Sequence, residues 1–110
     1  MAYDQELAQD VRALLAARDD VVEKPMFGGL AFMVSGNLAV CAGHTGELLV
    51  RVGPDAYAEA RSRPGTRDFV MGDRTAKGWV IVDPASIDSE AQLEHWVERG
   101  VAFAASLPPK

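Results

Sequence analysis

Cys41 and His44 stand in C-x-x-H spacing, which can begin a metal site or pair a thiol with a base. Zinc needs about four such ligands, and only His95 remains among the cysteines and histidines. The same scarcity weakens Cys–His nucleophilic catalysis. Cys41 lies in the apolar run NLAVCAG, where a thiol packs as a small hydrophobe and stays inert. No G-x-S-x-G elbow points to a serine hydrolase. Asp68, Asp73 and Asp83 fall at strand ends and in loops, the ordinary place of solvated carboxylates. Arg61, Arg63 and Arg67 form the densest positive group and read as a solvated face. Lys24, Arg51 and Lys77 could share a small anion if strand pairing brings their charged ends together. No catalytic residue, metal or cofactor is expected.

Lys24 opens the stretch KPMFGGLAFMVSGN, which has strand character but carries Gly28 and Gly29 in its middle. Glycine weakens a strand interior, because it packs nothing and loses the most backbone entropy. One reading is a bulge or sharp bend, letting a long first strand pair with two neighbours and cross the sheet. Met26, Phe27, Leu30 and Phe32 are then core or dimer contacts. The other reading is close approach of a ligand or partner chain to bare backbone, with Lys24 nearby to hold an anion. It is not a phosphate loop, since the G-x-x-x-x-G-K-[ST] spacing is absent and no helix follows directly. In Lys77-Gly78-Trp79, Trp79 is expected in a core or interface with its indole N–H bonded. Lys77 is expected in solvent.

These residues need elements to position them. Leu7, Val11, Leu14 and Leu15 form one apolar stripe, predicting a helix over 4–17. The chain then reads as extended to Asn37, and NLAVCAGH and LLVRVG follow as strands. Three consecutive strands with short turns make an antiparallel meander. Leu38, Val40 and Ala42 should share a face, as should Leu48, Val50 and Val52, with Leu49 and Arg51 opposite. Gly53 as N-cap and Pro54 as first helical residue predict a short helix over 54–62. TRDFVMG and GWVIVDP are two further strands. Ser89 and Gln92 fit a capping box opening the last helix, whose apolar stripe includes Gly100 and permits close packing on the sheet.

The expected fold is α+β in two layers, in the order α-β-β-β-α-β-β-α, with helices on one face of an antiparallel sheet. Phe32, Leu49, Val80 and Val82 are left with incomplete cover. An uncovered apolar sheet face implies self-association, as a homodimer, or a partner protein.

The 110 residues suit a single domain, 1–110. Hydrophobic residues at 48% and charged residues at 25% are ordinary for a globular chain. A formal net charge of -5 disfavours direct DNA binding, which needs a basic face against phosphates. One cysteine allows no intrachain disulfide and fits a reducing cytoplasm. Asp4, Glu6 and Asp10 near the start leave no room for the apolar core of a signal peptide. No run reaches the ~18 apolar residues of a membrane span.

KPMFGGLAFMVSGN, followed by LLVRVGPDAY and KGWVIVDP, resembles the N-terminal domain of the TfoX/Sxy family. The similarity runs from about Tyr3 to Pro109, and the order and spacing of the motifs carry it. The resemblance implies the strand and helix order above and a fold like that of secretion chaperones. Founding members regulate natural competence, acting on transcription with other proteins. Longer members carry a second, C-terminal helical module, whereas this chain ends at Lys110, so a stand-alone N-terminal domain is expected. Some relatives carry a methyltransferase label, but no glycine-rich cofactor loop supports that here.

The function expected is a non-enzymatic binding or regulatory module that docks a partner protein near Phe27, Gly28, Gly29 and Phe32. One alternative is a nucleic-acid accessory protein. The other is a small-anion binder or enzyme using Lys24, Arg51 and Lys77.

Overall fold

The Leu7 amide donates to the Asp4 carboxylate at 3.0 Å, and this cap starts α1 (Gln5–Leu14). The computed structural model describes residues 3–110. After α1 come β1 (Val21–Met26), β2 (Gly29–Val34), β3 (Asn37–Ala42) and β4 (Leu48–Arg51). Then follow α2 (Tyr57–Arg61), β5 (Thr66–Met71), β6 (Arg74–Val82), a 3₁₀ turn (Pro84–Ser86) and α3 (Glu90–Ser106). All strands pair antiparallel in one sheet, in the order β1-β2-β3-β4-β6-β5.

The α+β class and the helices on one sheet face are as expected, but the strand count is not. The expected long first strand is two strands, reversed at Phe27–Gly28. Both residues take positive φ, 56° and 72°, and so turn the chain in a two-residue hairpin. The short helix starts at Tyr57, not Pro54, and its N-cap is Ala56 rather than Gly53. Gly53 instead donates its N–H, as does Val52, to the Gly78 carbonyl, each at 2.9 Å.

Leu7, Val11 and Leu15 near the N-terminus, Ala60 of α2, and Leu93, Trp96 and Val97 of α3 cover one sheet face. Beneath them lie Leu30, Phe32, Val40, Ala42, Leu48, Val50, Val80 and Val82. Phe32, Val80 and Val82 are therefore core residues under the helices, not members of an uncovered face. Only Leu49 of that expected group is on the far side, with Ala31, Leu38 and Cys41.

Leu38 also departs from expectation. Phe32 pairs with Val40 and Met33 with Leu38, so Ala39 is an extra residue in β3. This bulge shifts the alternation by one, sending Leu38 to the open face while Ala39 packs with Val34 and Ala104.

The capping box forms as read: the Gln92 amide donates to the Ser89 hydroxyl and the Ser89 amide to the Gln92 side chain. Gly100 brings α3 against β3, where a Cβ would collide with the Ala39 carbonyl. Buried Asn37 donates to the Pro108 carbonyl at 3.0 Å, and the Lys110 amide donates to the Ser35 carbonyl. These bonds tie the C-terminal tail to the β2–β3 turn.

Candidate functional site

The open sheet face holds most of the residues singled out in the sequence. Its base is Ala31, Leu38, Cys41 and Leu49, with Met26, Met33, Phe69, Trp79 and Ile81 packed on them. Sheet twist lifts diagonally opposite corners toward the same side. One raised corner is the β1–β2 hairpin tip and the other is the β5–β6 pair. They meet through aromatic rings. Phe27 lies edge-on to Phe69 at 5.3 Å and to Trp79 at 6.2 Å, and Phe69 lies 5.9 Å from Trp79.

Phe27 occupies a position that favours Asn, because a bulky side chain strains a left-handed backbone by about 1–2 kcal/mol. Two edge-to-face ring contacts, each worth about 0.5–1.5 kcal/mol, offset that strain. The ring is still 50% exposed. Gly28 serves the turn alone, with nothing within 4 Å of where a Cβ would stand. Gly29 is different: a Cβ there would collide with the Ala42 carbonyl and lie 3.1 Å from Cys41 Sγ. The chain bends at Gly28, and what approaches the bare backbone at Gly29 is β3 of the same chain.

Trp79 sits beside Arg51 in register. The Arg51 guanidinium lies 5.2 Å from the Trp79 ring centre and 5.3 Å from that of Phe103, held between two π faces. An irregularity in β6 positions Trp79. Asp68 pairs with Val80 and Val70 with Thr75, so β6 carries four residues, Ala76, Lys77, Gly78 and Trp79, opposite Phe69 alone. Gly78 takes φ 105° there, and a Cβ would come within 3.2 Å of Gly53 and Pro54.

The three cations of the expected anion site stand on three strands, β1, β4 and β6. Lys24 is on edge strand β1 opposite Ala31. Arg51, on β4, is three strand intervals away, about 14 Å along the sheet at ~4.8 Å each. Lys77 is exposed in the β6 irregularity, and its charge reaches Asp68. The Tyr57 hydroxyl bonds Asp68, and with Arg61 it holds that carboxyl below its ordinary value. The arginines read as a solvated face do lie at the surface, each in an ion pair: Arg61 with Asp68, Arg63 with Glu59 and Arg67 with Asp83. Burial, reinforced by Glu47, pushes the Cys41 thiol up to about 11.

A family model described as the TfoX N-terminal domain matches residues 13–104. The chain belongs to that family. No curated protein and no solved structure matches it. The match begins at the end of α1 and runs into α3, so all six strands of this TfoX N-terminal domain lie within it.

On the other side of the TfoX N-terminal domain, Arg63, Pro64, His95 and Trp96 line a groove of about 330 Å³. His95 Nε2 is buried there without a hydrogen-bond partner among the described residues. Burial first, then Arg63 and Arg99, holds its pKa below the ordinary imidazole value. Sequence reasoning passed over this groove, and it passed over Phe69 and Phe103 at the open corner. Phe69 had no sequence signal, because its place beside Trp79 depends on the four-residue irregularity in β6. Phe103 had none, because its meeting with Arg51 depends on where α3 lies. The open corner offers aromatic rings, methionine and a guanidinium, which bind by burial, stacking and positive charge.

Proposed function

We propose that this TfoX-like regulatory module is non-enzymatic and docks a partner protein on the open-face corner, with Phe27 as the anchor. The observation that supports the reading is Phe27 itself. A half-exposed aromatic ring is kept at a strained turn position where Asn would fit better. Exposed aromatic anchors beside an Arg are the usual centres of binding energy. Phe69 and Trp79 brace the ring from behind. Arg51 beside Trp79, with Lys24 and Arg74 on the same sheet face by register, favours a partner that presents an apolar side chain among carboxylates.

The test uses Phe27→Asn, because Asn suits the left-handed turn. Its stability is expected within about 1 kcal/mol of the parent, strain relief offsetting lost ring contacts. Tagged parent and variant are used to capture partners from host lysate, with and without nuclease. Retention of a protein that survives nuclease and is lost with folded Phe27→Asn is the expected result. Equal retention by the variant refutes the anchor. Retention only without nuclease moves the function to nucleic acid.

A further inference from the structure

We propose that Arg51 seats a carboxylate, the fork of its guanidinium taking both oxygens, and that an apolar group beside the carboxylate lies on the Trp79 and Phe27 rings. The carboxylate is an Asp or Glu of the docked protein, so its source rests on the docking reading.

Arg51 stands apart among the arginines. It is half-buried, yet among the described residues no carboxylate pairs with it. Arg12, Arg18, Arg61, Arg63, Arg67 and Arg99 each have one. Arg74 also lacks a partner among the described residues, but it is exposed beside the β5–β6 turn. Asp68, two strands over beside Val80, already takes Tyr57 and Arg61. Trp79 and Phe103 stand where a counter-charge would. Their faces attract the cation without neutralising it.

The backbone builds this seat as well as the rings. Gly53 admits Phe103, since a Cβ there would collide with the Phe103 ring. Gly78 lies in the β6 irregularity that brings Trp79 alongside. With a ring on either side, the guanidinium keeps its N–H edge for a ligand, and part of its freedom is already lost before binding. Those N–H groups have no acceptor among the described residues, and against expectation neither has the Trp79 indole N–H. A carboxylate meets such an edge through two parallel hydrogen bonds, which a lysine ammonium cannot offer. Trp79 also meets Phe27 at 6.2 Å, so charge recognition and apolar contact share one ring.

The test is an NMR titration of the full chain at about pH 6, where a carboxylate is ionised. The probes are phenylacetate, its neutral amide phenylacetamide, and inorganic phosphate, at constant ionic strength. Phenylacetate is expected to shift the Arg51 Nε–H and Trp79 indole N–H resonances saturably, with the millimolar Kd of so small a ligand. The amide should bind about tenfold more weakly, and phosphate, which brings no apolar group, should also be weaker. Arg51→Gln should leave no saturable shift at Trp79. Arg51→Lys keeps the charge and the aliphatic stem, and so the fold, but loses the fork; it should weaken binding about fivefold. No saturable shift up to about 50 mM, an amide as good as the acid, or Arg51→Lys equal to the parent overturns the proposal. Phosphate binding tighter than phenylacetate overturns it too, and assigns the seat to a free anion. The titration needs no partner, so it can fail while capture through Phe27 succeeds, and the reverse.

Discussion

At the scale of single residues, neighbouring glycines do different work. Gly28 supplies φ 72° in open space, whereas Gly29 admits the Ala42 carbonyl of β3. Gly28→Ala is expected to cost about 1 kcal/mol, the strain of a left-handed alanine. Gly29→Ala sets a methyl against backbone that cannot swing away, and should cost about 2–3 kcal/mol. Thermal denaturation of the two variants checks the order, and a lower melting temperature for Gly28→Ala would contradict the contact with β3. The Phe27→Asn comparison belongs to this scale too, because it separates the turn preference from the ring's use. That the chain bends at the pair was legible in the sequence, but that it reverses there into two strands was not. That Gly29 faces a carbonyl was not, since nothing in KPMFGGLAFMVSGN names its neighbour across the sheet.

At the scale of elements, the Ser89–Gln92 capping box was legible because it acts within three residues. The Asp4 cap of α1 was not singled out, and Gly53 does not cap α2. The strand faces failed where a bulge intervened. One extra residue at Ala39 reverses Leu38, and period-two reasoning cannot see it. Gly100 tests how elements pack. Helix propensity alone predicts that Gly100→Ala gains about 1 kcal/mol. A Cβ there collides with the Ala39 carbonyl and comes within 2.8 Å of Val40 Cγ1, and such overpacking costs about 1–3 kcal/mol. Urea denaturation should therefore show a net loss of stability. A gain would mean that α3 can lift off β3 at little cost.

At the scale of the whole molecule, the open face is closed in part by the sheet itself. Twist brings the hairpin tip over to Phe69 and Trp79, so residues far apart in sequence form one aromatic corner. Trp79→Ala removes the ring on which both Phe27 and Arg51 lean. It should cost about 2–3 kcal/mol, less than the ~3–5 of a fully buried aromatic. Amide exchange near the hairpin tip, residues 26–29, should quicken with it. Unchanged exchange there would show that the tip holds its place without the cross-sheet contact. Among the described residues no helix is long and apolar enough to cross a membrane.

The sequence by itself determined the class of fold, the two-layer plan and the family motifs. Apolar periodicity, caps and turn residues act over a few positions, and KPMFGGLAFMVSGN, LLVRVGPDAY and KGWVIVDP are continuous stretches. Only the tertiary structure decided which face Phe32 and Leu38 occupy, that Arg51 lies between Trp79 and Phe103, and that Lys24 stands three strands from Arg51. Those outcomes follow from register, bulges and sheet twist, which depend on how distant segments pair.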